Sequence, residues 1–211
     1  MNTLDLCRNI MHIRKFPNVT NKDIYNALGK FSSSYIEQKY PLFKWKNIWV
    51  NLHVKYIDKY DRMVSYKFLY EALPTRKKLN VMNIPGIDDD LCPTCQISET
   101  NMHLLYFCNK IKSLYRFMVR LCEIACNKEI NDPLCFIFFD FKIVGTKKYL
   151  CSLILSSYIG LVWSCRNEQF DFGLMKQKLL SRIKYNIKTI LLCPGISNVI
   201  RTMLQELDAI C

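Results

Sequence analysis

Three cysteines and a histidine fall within one short stretch, CPTCQISETNMHLLYFC, at Cys92, Cys95, His103 and Cys108. The spacing C-x2-C-x7-H-x4-C is that of a zinc knuckle. The two leading thiolates close a tight loop around Pro93 and Thr94, so that both sulfurs can bond one ion at about 2.3 Å, and His103 and Cys108 complete a tetrahedron. One Zn2+ is expected. A closed Cys3His shell leaves no position for water or substrate, so its expected role is structural. Ordinary buried thiols and a satisfied core histidine are the alternative in a chain with 11 cysteines, and Cys122 and Cys126, four apart, are rival donors. The cysteines outside the knuckle (Cys7, Cys122, Cys126, Cys135, Cys151, Cys165, Cys193 and Cys211) lie singly among Leu, Ile, Phe and Tyr, where a free thiol behaves as a small hydrophobe. An odd cysteine total, a zinc-type grouping and an N-terminal MNTLDLCRNIMHIRK without the marks of a secretory signal predict an intracellular protein of the nucleus or cytoplasm, not a disulfide scaffold.

The elements that must position this stretch are expected to be helices. Half of the 211 residues are apolar, enough for a core, while 6 glycines and 7 prolines are few for the many tight turns of an all-β protein. The predicted fold class is mainly α, an irregular helical bundle stapled by the Cys3His knuckle. Helices are expected over 4–15 and from Thr20 or Asn21 towards Ile36. Another spans 43–57, where Trp45, Ile48, Trp49, Leu52 and Tyr56 form one stripe. Asp61 is read as the cap of the next helix, with Met63, Tyr66, Leu69 and Tyr70 inward, before Pro74 ends it. Ser98 and Glu99 read as the cap and first turn of a long helix running through Cys126. On such a helix His103 and Cys108 would lie about 140° apart, so a local distortion is expected over 105–108. The run LCFIFFDFKIV, from Leu134, fits either a strand or a buried helix. Further helices are expected over 146–167, 174–192 and 196–210. In domain terms, 1–130 carries the knuckle at 90–110 and 131–211 is a helical tail; packing of the tail on the first part as one domain is the alternative.

A net charge of +12 and a pI near 9.2 call for an acidic partner. The charge is unevenly spread. Residues 39–79 carry ten Lys/Arg against three Asp/Glu, and residues 142–188 carry nine against two, whereas residues 80–108 hold Asp88, Asp89, Asp90 and Glu99 with no basic residue. Phosphate contacts are therefore expected from the flanking helices, with Lys44, Lys46, Arg76, Lys77, Lys78, Lys176 and Arg182 as candidates. The longest uncharged run, 149–165, is short of the roughly 18–20 apolar residues of a membrane span and carries four serines, so no membrane partner is expected. No paired acids, no Ser/His/Asp set and no open metal site are visible, so an independent enzyme is not expected.

KWKNIWVNL, YKFLYEALPTRKKL, CPTC and ETNMHLLYFC occur in that order between Tyr40 and Cys108. This order resembles the zinc-binding region at the C-terminal end of reverse transcriptases of non-LTR retrotransposons, over roughly the first 125 residues. The resemblance implies that Cys92, Cys95, His103 and Cys108 bind zinc and that the surrounding helices help hold RNA or DNA beside a parent polymerase domain. The family's polymerase carries a Phe/Tyr-x-Asp-Asp carboxylate pair, and this chain has none: Asp140 in FFDF stands alone. Polymerase activity is therefore not expected of it. A protein-interaction or scaffold module with a purely structural zinc is the alternative reading.

Overall fold

The structure, a computed structural model, describes residues 35–54 and 57–191. The helices expected over 4–15 and 196–210, the start of the second helix, and Tyr56 lie outside the described residues. The chain divides into two compact units, 1–42 and 43–211. In the first, α1 spans Tyr35–Lys39. The second contains α2 (Trp45–Leu52), α3 (Lys59–Leu69), α4 (Arg76–Val81), α5 (Lys112–Cys126), α6 (Pro133–Ile137), α7 (Gly145–Ser164) and α8 (Phe172–Leu191), with the knuckle between α4 and α5. Among the described residues the only β-pairing is a single bridge between Leu91 and Ser98, so the fold is mainly helical, as expected.

The core is built around α7. Every residue from Leu150 to Val162 is buried, because α2, α3, α5 and α8 all pack against this helix. A helix covered on all sides has no polar face to display, which is why its sequence is apolar without a helical stripe. Helix α8 is the opposite case: Met175, Leu179, Ile183 and Ile187 form its buried stripe, as their spacing predicts.

The face of α3 differs from the expected one. Asp58, not Asp61, caps the helix, its Oδ1 accepting the N–H groups of Tyr60 at 2.8 Å and Asp61 at 3.3 Å. The inward residues are Asp61, Val64, Ser65, Phe68 and Leu69, while Met63 and Tyr70 are exposed. Contact with α7 sets this rotation: Gly160 lies so close to α3 that a methyl group there would collide with the Asp61 carboxylate. Tyr66 and the C-capping Tyr70 pack sideways instead, stacking on half-buried Trp49 at 6.0 and 5.6 Å. Trp45 takes the core position.

The aromatic run from Leu134 forms no strand. It becomes α6 and then a non-helical segment that Asn51 clamps, its Nδ2 donating to the carbonyls of Phe139 at 2.7 Å and Phe141 at 3.0 Å. The Asp140 carboxylate accepts the Lys44 N–H at 2.9 Å, at the start of α2. That acid is thus a helix cap supplied from a distant segment.

Candidate metal centre

Pro85 and Gly86, the latter in the left-handed region at φ 83, turn the chain away from α4 towards the knuckle. There the Leu91–Ser98 bridge closes a small hairpin. The Cys92 N–H donates to the Ile97 carbonyl at 2.8 Å and the Gln96 N–H to the Cys92 carbonyl at 2.9 Å, with Gln96 in the left-handed region at φ 55. Cys92 and Cys95 therefore sit on one tight turn. The acidic residues are its wiring. Asp90 accepts the Ser98 hydroxyl at 2.6 Å, and Asp89 accepts both the Leu91 N–H and the Arg76 guanidinium at 2.9 Å. The Glu99 carboxylate accepts the Arg76 N–H at 2.9 Å, capping α4 from across the hairpin.

Ser98 is therefore not a helix cap, because its hydroxyl is committed to Asp90. The helical turn starts later, at Asn101, where Thr100 Oγ1 accepts the His103 N–H at 3.0 Å. Nor does one long helix follow. His103–Phe107 is a widened π-helical turn, the Cys108 N–H reaching back five residues to the His103 carbonyl at 2.7 Å. Cys108 is extended, a 3-10 turn spans Asn109–Ile111, and α5 begins only at Lys112. This is the distortion the 140° mismatch requires: it lets His103 and Cys108 face the same point. Tyr158 of α7 donates its hydroxyl to the Leu105 carbonyl at 2.8 Å, tying the irregular turn to the core.

One candidate ligand atom from each of Cys92, Cys95, His103 and Cys108 falls in a cluster whose members all lie within 4.8 Å of one another. The Cys92–Cys108 and Cys95–Cys108 sulfur separations are 3.9 and 3.7 Å. A tetrahedral ion with metal–sulfur bonds of about 2.3 Å has sulfur–sulfur edges of about 3.8 Å, whereas a disulfide would need about 2.05 Å. Both ring nitrogens of His103 are buried without a hydrogen-bond partner, a costly state for an imidazole that a metal bond would relieve. Burial keeps the His103 pKa below its usual value, outweighing the opposing Glu99 carboxylate, and so favours the neutral ring that a metal needs. Burial, followed by the neighbouring thiols, pushes Cys108 up to about 12, and a cation bound beside it would favour its thiolate. The Asn109 N–H, 3.3 Å from Cys95 Sγ, and the Lys110 N–H at Cys108 are oriented to support thiolates. The donor set fits zinc.

Cys122 and Cys126, the rival donors, lie on the buried face of α5 beside Cys151 and take no part in the cluster. All eight cysteines among the described residues are free thiols. A cavity of about 360 Å3 opens beside the site, lined in part by Arg76, Cys92, Glu99, Cys108, Lys110 and Arg166.

The basic candidates are less concentrated. Lys44 and Lys46 are exposed at the start of α2, and Lys77 and Lys78 are exposed on α4. Arg76 is paired with Asp89 at 2.9 Å, and the Arg182 guanidinium lies 3.5 Å from the buried Asp61 carboxylate. Lys176 is half-buried with its ammonium over the Phe117 ring, 5.2 Å from the centroid. The seven thus lie on or beside three helices, and two of them face carboxylates. Sequence reasoning passed over a further row, Lys112, Arg116 and Arg120, although a basic residue every fourth position is a readable helical signal. Comparison of the chain with family models, with curated proteins and with solved structures gave no match.

Proposed function

We propose that the protein is a zinc-stapled helical module that binds RNA or DNA through phosphate contacts from the basic helices flanking the knuckle. In this reading the zinc is structural. Bonded to Cys92, Cys95, His103 and Cys108, it fixes the hairpin that carries α4 to the turn that starts α5. The observation that supports the nucleic-acid reading is the commitment of three of the knuckle's four acids to local hydrogen bonds, Asp88 being the exception. Asp89, Asp90 and Glu99 bond to backbone N–H groups, Ser98 and Arg76, leaving the exposed Lys77 and Lys78 outside those bonds. The residue pattern shared with the C-terminal region of non-LTR retrotransposon reverse transcriptases points the same way, and makes a parent polymerase domain a natural partner. Free thiols and a zinc–thiolate site suit the nucleus or cytoplasm.

Fluorescence anisotropy with labelled RNA and DNA oligonucleotides across a salt series tests this. Phosphate-led binding requires log K to fall linearly with log salt. Absence of salt-dependent affinity for every oligonucleotide would reject the reading. A protein-interaction scaffold is the second reading, favoured by the exposed apolar residues Val81, Met82 and Ile84 at the C-terminal end of α4 and just beyond it.

A further inference from the structure

The nucleic-acid reading names no specific track, and α5 supplies one. Leu114, Tyr115, Met118, Leu121, Cys122, Ala125 and Cys126 face the core, so the opposite side of the helix is fixed towards solvent. That side carries Lys112, Arg116 and Arg120, all exposed, the last with its side chain 70% accessible. Successive members are four residues apart, so the row runs along the axis for about 12 Å at about 6 Å per step. The acid on this helix, Glu123, meets Arg120 at 3.4 Å at the far end of the row. Lys112 and Arg116 are in no ion pair among the described residues. Lys176 is brought to the side of the same helix by its contact with Phe117. The nearby Asp171 carboxylate is committed to the Leu174 N–H at 2.6 Å.

We infer that this face of α5 is a binding track for one phosphodiester strand, with Lys112, Arg116 and Arg120 each meeting a backbone phosphate. The proposal rests on the nucleic-acid reading above and deepens it. Charge complementarity selects the occupant: a row of like charges held apart on a rigid helix is unfavourable by itself and is relieved by a polyanion with regularly spaced charges. On one strand of a duplex a phosphate recurs about every 3.4 Å of axis, so a 12 Å row spans about three to four of them. The knuckle gives the track its direction. Cys108 is a candidate zinc ligand, and only the Asn109–Ile111 turn separates it from Lys112, so a bound ion would anchor the start of the row.

The test is a salt series of binding measurements on the full chain, with labelled oligouridylate and labelled duplex DNA as separate probes. Wild type is compared with the triple variant Lys112→Gln, Arg116→Gln, Arg120→Gln, and with a control carrying Lys59→Gln, Lys67→Gln and Lys142→Gln, exposed lysines outside the candidate contacts. These positions are exposed, so helical content and bound zinc should be unchanged in both and are measured alongside. The slope of log K against log salt should become shallower by about 2 in the triple variant if the single strand is the ligand, or by about 3 if the duplex is. The control should change it less. Wild-type binding with an unaltered slope in the triple variant overturns the track and leaves the nucleic-acid reading standing. No salt-dependent binding by wild type overturns both.

Discussion

At the scale of single residues, Asp61 behaves least like its sequence. Its position before an apolar stripe reads as a helix cap, yet it is 1% exposed, between α3, α7 and α8. Burial raises its pKa from 3.8 to about 7, outweighing the attraction of Arg182. The sign follows from proton linkage. Between pH 4 and 7 the folded state holds a proton that the unfolded state has lost, so this group's contribution to stability falls as pH rises through that window and levels off above it. The stability of Asp61→Asn relative to wild type should therefore improve by about 1 kcal/mol per pH unit between pH 5 and 7, read by urea denaturation. A constant difference across that range would rule out the shifted carboxyl. The four candidate metal donors, which lie within 4.8 Å of one another, were legible from spacing alone because thiolates and imidazole announce their chemistry locally. Asp61 was not, because its burial depends on Gly160, far away in the chain.

At the scale of elements, the decisive feature is the widened turn His103–Phe107. That a regular helix could not present His103 and Cys108 together was readable from geometry; how the break would be made was not. The carbonyl at Leu105 finds its partner in Tyr158, which belongs to a helix that sequence places elsewhere. Tyr158→Phe keeps the ring and removes this buried bond, so a loss of about 1–3 kcal/mol is expected in denaturant midpoint measurements, with zinc stoichiometry retained. Unchanged stability would show that the tie between knuckle and core does not matter. On α8, where one side meets the core, the apolar spacing marks the buried face. The face was misread on α3, where a glycine contact rather than residue size set the rotation.

At the scale of the whole molecule, α7, uncharged from Tyr149 onward, organises the fold. The run from Tyr149 to Cys165 is apolar because four helices sheathe it, and no helix among the described residues is long and apolar enough to cross a membrane. The mainly helical class followed from sparse glycine and proline. The grouping of basic residues did not follow, because charge counted along the chain ignores which cations face carboxylates, as Arg76 and Arg182 do. A metal held by the Cys3His cluster is the premise of the staple. The most direct measurement is elemental zinc analysis of the purified chain beside Cys95→Ser, the substitution at the one half-buried sulfur of the cluster and so the least disruptive to the core. One zinc per wild-type chain, lost or greatly weakened in Cys95→Ser, is the expected result. Zinc absent from the wild type, or equal in the two proteins, would contradict it.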